Sequence, residues 1–479
     1  MAVGVLGLGL SALVPGSASA HTSAIETASP VCRPRTTPIS QAPATLAQQS
    51  TVAGTGGRVL NVVLNSPAMQ DQQHVYVLLP RHYDASGATK YPVLYLLHGA
   101  GGSYVDWVHM GVEKDIDYTS VADHLGPFIT VMPDDGAWGF YTDWYGTDVD
   151  SSAATAAPAW STYDIDELIP WVDSHFPVIT ARSGRAIAGL SMGGYGAMSY
   201  AARYPDLFAA AGSFSGVTDI DIESPVGGEA LNLLSSAFTH GPPNQCVWGD
   251  TITQGVRFHA GDPTYLASNL ASTSLFVASG NGLPGIYDTP VTEGTVVDGA
   301  IEGTIHLMNE EFTAALTADG VPFTGYFYGA GTHSWGYWLR DLAHFLPQMS
   351  AVFAHPEAVS TTAPFTYRTV DTSFEIHGYQ FSIGHDAEAF TYLNSMGPDA
   401  LTATGTGTLS VLSPPDYVPN GMYRVTINSI GTLVQADGNG RLRYKVDLGP
   451  ALRVQQFSFS SGDPDGFPTV PVTISSVAG

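Results

Sequence analysis

The sequence predicts an α/β fold with a mostly parallel sheet, followed by a smaller all-β sandwich. Three observations carry that expectation. Over residues 57–355 short apolar runs alternate with helical patterns. After about residue 355 long helical periods cease and strand-like segments take over. One apolar run, residues 185–190, passes through a glycine-flanked turn into a helical segment that ends before Pro205.

Taken in order, residues 1–20 form an apolar stretch closing on Ala18-Ser19-Ala20, which predicts a signal peptide although no positive residue precedes it. Residues 21–56 are rich in Thr, Pro, Ala, Gln and Ser without a sustained period, and predict a flexible lead-in. Residues 59–64 and 74–80 predict two strands, antiparallel because their connection is short. The runs at 93–97, 128–132, 185–190, 275–279 and 324–328 are apolar without alternation, as strands buried on both faces are. Between them Ile165, Leu168, Ile169, Val172 and Phe176 recur at helical spacing, with Pro170 expected to disturb that helix.

The C-terminal part, 356–479, predicts strands at 365–370, 374–383, 401–412, 422–427, 432–436, 441–446 and 455–459. Asp437-Gly438-Asn439-Gly440 between two of them predicts a hairpin turn. A calcium loop is not expected there, since the closing Glu of an EF-hand is missing.

Charge excludes several classes of function. With 43 acidic and 17 basic residues the net charge is −26, which repels phosphate backbones and anionic lipid, so no nucleic-acid partner is expected. Two cysteines, Cys32 and Cys246, permit one disulfide in an oxidising compartment. Histidines such as His109, His124, His240 and His259 are scattered singly, without the spacing of a metal site. No metal and no cofactor are expected.

Chemistry concentrates at Gly189-Leu190-Ser191-Met192-Gly193, a G-x-S-x-G sequence between a strand and a helix. Small residues on either side let the chain turn sharply, so Ser191 is expected to project its hydroxyl above the sheet as a nucleophile. Such a serine needs a base, and His333, on Gly331-Thr332-His333-Ser334-Trp335 just after the last apolar run, is the candidate. His306 and His344 sit in helical patterns, and His377 and His385 in the C-terminal part. Spacing does not choose the acid among Asp288, Glu293, Asp298 and Glu302. Backbone N–H groups of Met192 and of Ala100, on the loop His98-Gly99-Ala100-Gly101-Gly102, are the expected oxyanion donors. His98 itself is expected to order that loop.

These segments resemble the putative-esterase family of α/β-hydrolases, and within it the secreted mycolyltransferases, over about residues 60–350. The carriers are Leu96-Leu97-His98-Gly99, Asp106-Trp107, Phe140-Tyr141-Thr142-Asp143-Trp144-Tyr145, the Ser191 turn, Gly280-Asn281-Gly282-Leu283-Pro284, and Gly331-Thr332-His333-Ser334-Trp335-Gly336-Tyr337-Trp338. The resemblance implies Glu302 as the acid: the family's Glu opens the helix before the last strand, ahead of an Asn and a Phe that Asn309 and Phe312 match. Where mycolyltransferases have Asp-Gly-Leu-Arg, this chain has His98-Gly99-Ala100-Gly101, a departure toward general esterases.

The expected function is therefore a secreted serine acyltransferase or carboxylesterase of the extracellular space or cell envelope. It would act on lipid or glycolipid esters through an acyl-Ser191 intermediate, with an alcohol or sugar as acceptor. Trp144 and Trp335 are expected to line an acyl or sugar groove, as readily as to pack in the core. A second enzyme reading is a polysaccharide-decorating esterase of acetyl or feruloyl type, whose C-terminal domain contacts carbohydrate or cell wall. A third class is a family member without catalysis that binds the cell wall.

Overall fold

A computed structural model of the chain describes residues 32–114, 116, 125–148, 156–220, 246–250, 253–356, 363–457 and 466–477. The expected signal peptide lies outside the described residues, as do 21–31, His124, His240 and the end of the run expected at 455–459.

Nine strands make one sheet: β1 (Thr45–Thr51), β2 (Val59–Ser66), β3 (Asp71–Leu78), β4 (Val93–Leu97), β5 (Ile129–Pro133), β6 (Arg185–Leu190), β7 (Ala210–Phe214), β8 (Ser274–Ser279) and β9 (Phe323–Phe327). Their order across the sheet is β9-β8-β7-β6-β4-β5-β3-β2-β1. From β9 to β5 neighbours run parallel, and β3, β2 and β1 continue antiparallel. This is the α/β-hydrolase arrangement that the sequence predicts.

The central apolar runs are explained by burial on both faces. In β4, Val93, Tyr95 and Leu97 enter one core cluster while Leu94 and Leu96 enter the other. Helices α2 (Met192–Arg203) and α3 (Glu293–Ala318) cover the first face, and α4 (Trp335–Ala354) the second. The helical pattern around Pro170 resolves into a π-helical turn, Tyr163–Leu168, running into α1 (Ile169–His175) with Pro170 in its first turn. Proline cannot donate a backbone hydrogen bond, so the ladder changes register just before it.

The lead-in expected at 21–56 needs correction. Residues 45–51 form the edge strand β1, and Cys32–Pro34 pairs with Gly146–Asp148. Every side chain of β1 is exposed, so its strand character rests on backbone pairing and left no apolar signature. Cys32 and Cys246 are joined as a disulfide, with Cα atoms 5.3 Å apart.

The C-terminal part forms two antiparallel sheets from β10 (Phe365–Thr369), β11 (Ser373–Ile376), β12 (Tyr379–Ile383), β13 (Thr391–Met396), β14 (Ala400–Thr404), β15 (Thr408–Leu412), β16 (Met422–Ile427), β17 (Ile430–Gln435), β18 (Arg443–Asp447) and β19 (Thr469–Ser476). The orders are β10-β13-β14-β19-β16-β17 and β11-β12-β15-β18, with one core of their own. Two expected long strands are each split by turns, at His377-Gly378 and at Gly405–Gly407, where glycines take positive φ. The turn at 437–440 is not a hairpin: β17 and β18 lie in different sheets. The hairpin between β16 and β17 turns instead on Asn428 and Ser429, both at positive φ.

The two parts share packing. Phe390 is fully buried in the same cluster as the α/β sheet, Phe457 stacks on His259 at 4.0 Å, and Tyr392 and Tyr265 hydroxyls meet at 2.8 Å.

Candidate active site

Strand order reverses around β4, since β5 lies on one side of it and β6 on the other. Such a switch point opens a crevice at the carboxyl ends of the strands. The loop after β4 carries Ala100 and the turn after β6 carries Ser191.

Ser191 sits at φ 52°, ψ −119°, directly before α2. A non-glycine residue pays steric strain at positive φ, and it persists only where surroundings fix it. Both glycines of the motif do so. A Cβ on Gly189 would stand 2.4 Å from the Gly193 carbonyl oxygen, and one on Gly193 would stand 2.6 Å from the carbonyl oxygens of Leu97 and His98. Ser191 N–H donates to Phe214 O at 2.9 Å, which ties the turn to the end of β7.

The loop after β4 lies against this turn: a Cβ on Gly99 would meet Leu190 Cδ1 at 2.4 Å and Ser191 Cβ at 3.4 Å. Ala100 is exposed beside it, and Gly101 turns at φ 74°. Met192 is fully buried and is the first residue of α2, so its N–H has no acceptor within the helix. Its Sδ accepts from Phe140 N–H at 3.4 Å.

His98 orders the loop. It is fully buried, with Nδ1 2.8 Å from Gly99 O and Nε2 accepting from Asp135 N–H at 3.1 Å. Burial holds its pKa below the usual imidazole range. Those contacts fit a neutral ring that carries its hydrogen on Nδ1.

Glu302 and His333 are joined: Glu302 Oε2 stands 2.8 Å from His333 Nδ1. Glu302 is fully buried, and its other oxygen accepts from Ser215 Oγ at 2.8 Å and Gly280 N–H at 2.7 Å. The hydrogen bonds that converge on the buried Glu302 carboxyl offset the cost of taking it out of water. Glu302 does not open its helix, as the resemblance implied, but lies in the third turn of α3.

The other acid candidates take different places. Asp298 offers only its backbone oxygen to His333 N–H, at 3.2 Å, and burial raises its carboxyl pKa. Asp288 accepts from Gly285 N–H, Thr332 Oγ1 and Tyr337 OH, which outweigh burial and hold it below its usual range. Glu293 is the exposed first residue of α3.

Trp335 packs edge-on against Trp107 at 5.1 Å and Trp338 at 5.4 Å, and Trp338 stands edge-on to His333 at 4.9 Å. Trp144 donates its indole N–H to Gly139 O at 3.0 Å and borders a cavity with Tyr145, Arg257, Glu388 and Gln455. The two tryptophans thus belong to different clusters. Among the described residues no group of three or more His, Cys, Asp or Glu could hold a metal ion, and no helix is long and apolar enough to cross a membrane.

Sequence reasoning missed Ser215 and Gly280, the donors to Glu302. The available signal was Ser213-Phe214-Ser215-Gly216 at the end of an unrecognised strand, β7, whose small residues escape an apolar-run search.

The profile of a family described as Putative esterase matches residues 66–349. Esterase Rv1288 of Mycobacterium tuberculosis is 33% identical over 251 residues, covering 52% of this chain; the chain spans about half, 50%, of that protein. Diacylglycerol acyltransferase/mycolyltransferase Ag85B of Mycobacterium leprae is 31% identical over 276 residues, 55% of this chain and 77% of that protein. A solved ferulic acid esterase superposes with a TM-score of 0.47 at 25% identity, over 62% of this chain and 98% of its own.

Proposed function

The chain belongs to the Putative esterase family, and from that membership we propose that it is a serine-dependent enzyme of carboxylic esters, acting by acyl transfer or hydrolysis. The observation that carries the mechanism is the 2.8 Å contact between buried Glu302 and His333 Nδ1. A hydrogen on Nδ1 leaves Nε2 with its lone pair, which is what a general base for Ser191 requires.

In this mechanism Ser191 Oγ attacks the ester carbonyl carbon as its proton passes to His333 Nε2. Glu302 stabilises the imidazolium so formed. The N–H groups of Ala100 and Met192 bind the oxyanion. Collapse breaks the bond to the alkoxy group, which takes the proton from His333, and leaves acyl-Ser191. Water or an alcohol, deprotonated by His333, then releases the acyl group as acid or new ester.

The substrate is a lipid or glycolipid ester and the acceptor an alcohol or sugar. Supporting this are the Phe140 to Tyr145 and Gly331 to Trp338 segments, which resemble the transferase branch, and the aromatic cluster of Trp107, Trp335 and Trp338 beside His333. Export is supported by residues 1–20 and by the disulfide, which persists in oxidising compartments. The cavity shared by Trp144, Tyr145, Glu388 and Gln455 is a place where the C-terminal part can contact carbohydrate.

The test is mass spectrometry of products from an activated acyl ester, with and without trehalose or a glycerol lipid. Acyl transfer product that rises with acceptor, and is absent with Ser191→Ala, is the expected result. Free acid alone at every acceptor concentration sinks the transferase reading and leaves a polysaccharide-type esterase.

A further inference from the structure

His333 sits on a loop whose shape has to be fixed from outside it. Residues 328–334 connect β9 to α4; Gly329 turns there at φ 75°, and Gly331 stands two residues before the imidazole. Glycine leaves the backbone free to move. Within reach of the ring are the Glu302 carboxyl and the edge of Trp338, and the His333 N–H donates to Asp298 O at 3.2 Å.

A second carboxyl, Asp288, ties the loop on both sides of the base. It lies in the segment between β8 and α3 and is 7% exposed. Its Oδ1 accepts from Thr332 Oγ1 at 2.6 Å, and its Oδ2 accepts from Tyr337 OH at 2.6 Å and from Gly285 N–H at 2.7 Å. Thr332 and Tyr337 are fully buried. One carboxyl therefore holds the residue just before His333 and a residue in the first turn of α4, four positions after it. Hydrogen bonds to an ionised acceptor are about twice as strong as neutral ones. Burial pushes the Asp288 carboxyl up, yet the bonds from Gly285, Thr332 and Tyr337 outweigh it and keep the group ionised.

Close packing limits movement around these ties. A Cβ on Gly285 would stand 2.5 Å from Tyr337 OH and 2.6 Å from Ala330 O, and one on Gly331 would stand 2.5 Å from Tyr328 Cε2. The Tyr337 ring lies parallel to Tyr328 at 5.6 Å and meets Tyr287 edge-on at 5.0 Å. Asp288 N–H donates back to Gly285 O at 3.2 Å, which closes the turn that presents the carboxyl.

We propose that Asp288 is a positioning residue for His333, whose carboxylate fixes Thr332 and Tyr337 on either side of the base and so sets the imidazole where Nδ1 meets Glu302 and Nε2 is free for Ser191. The inference rests on the reading of His333 as general base given under the proposed function. Asp288 acts through its neighbours and carries no proton of the reaction. Loss of a tie lets the loop shift, and a displacement of about 1 Å at a catalytic group costs on the order of 10² in rate.

The test compares Thr332→Val, Thr332→Ser, Asp288→Asn and His333→Ala with the wild type, all in the full chain. It measures kcat and KM for an activated butyrate ester well below each melting temperature, and by proton NMR the downfield resonance of His333 Nδ1–H in its bond to Glu302. Thr332→Val removes the Oγ1 donor at nearly constant volume. It should lower kcat by about tenfold to hundredfold with KM within roughly threefold, and broaden that resonance or move it upfield. Asp288→Asn leaves one acceptor oxygen for three donors and should lower kcat by at least about tenfold. Thr332→Ser keeps the hydroxyl and should retain both the resonance and kcat within roughly threefold. A lower melting temperature in Thr332→Val with kcat, KM and resonance unaltered makes Asp288 purely structural and overturns the inference. So does a loss of kcat in Thr332→Ser equal to that in Thr332→Val. If Asp288→Asn does not fold, the two Thr332 variants decide. If His333→Ala turns over at the wild-type rate, the proposed base falls and this inference with it; if His333→Ala is inactive and Thr332→Val unaltered, only this inference falls.

Discussion

Glu302 Oε2 and His333 Nδ1 stand 2.8 Å apart although one residue lies in the third turn of α3 and the other on the loop before α4. What brings them together is the pairing of β8 with β9, whose carboxyl ends carry Gly280 and the 329–333 loop. Gly280 N–H bonds Glu302, Gly282 N–H bonds Gly331 O, and Asp298 O accepts from His333 N–H.

Glu302→Gln is expected to lower kcat by about 10²–10⁴ with KM nearly unchanged, because the amide no longer stabilises an imidazolium. Asp298→Asn should stay within roughly threefold, since Asp298 meets His333 through its backbone oxygen. Steady-state kinetics check both, and the reverse ranking would assign the acid to Asp298.

Gly193→Ala should disrupt the Ser191 turn. Its Cβ would meet backbone oxygens at 2.6 Å, which cannot yield as a flexible side chain would. A destabilisation of about 1–3 kcal/mol is expected together with loss of nearly all turnover. Gly294→Ala in α3, whose Cβ finds only Thr292 Oγ1 at 3.5 Å, should instead stabilise by about 0.5–1 kcal/mol. Thermal melts and ester turnover of the two variants check the contrast.

Phe390→Ala is expected to cost about 3–5 kcal/mol, because this C-terminal residue is fully buried in the α/β core. Removal of everything beyond Pro356 would also uncover His259 and Tyr265. Such a truncation should be poorly soluble or melt well below the full chain. A truncated chain with unaltered melting would show that the shared packing contributes nothing.

The α/β class and the Ser191 turn were legible because they rest on local signals: unbroken apolar runs such as 93–97, and glycines at 189 and 193 that the geometry requires. The C-terminal sheets were legible as strands but not as partners. Whether 432–436 pairs with 422–427 or 441–446 depends on long-range register, and the turn residues at 437–440 were misleading. β1 was illegible because all its side chains face solvent. Glu302 needed the family resemblance, since only the folded helix chooses among four acids close in sequence.

The most direct measurement is a rapid-quench experiment with an activated acyl ester, followed by digestion and mass spectrometry of the peptide spanning residues 186–203. An acyl adduct on Ser191 that forms within the first turnover, decays with the measured kcat and is missing in a fully folded Ser191→Ala variant is the predicted result. An adduct on another residue, or undiminished turnover by Ser191→Ala, would contradict a Ser191 nucleophile served by Glu302 and His333.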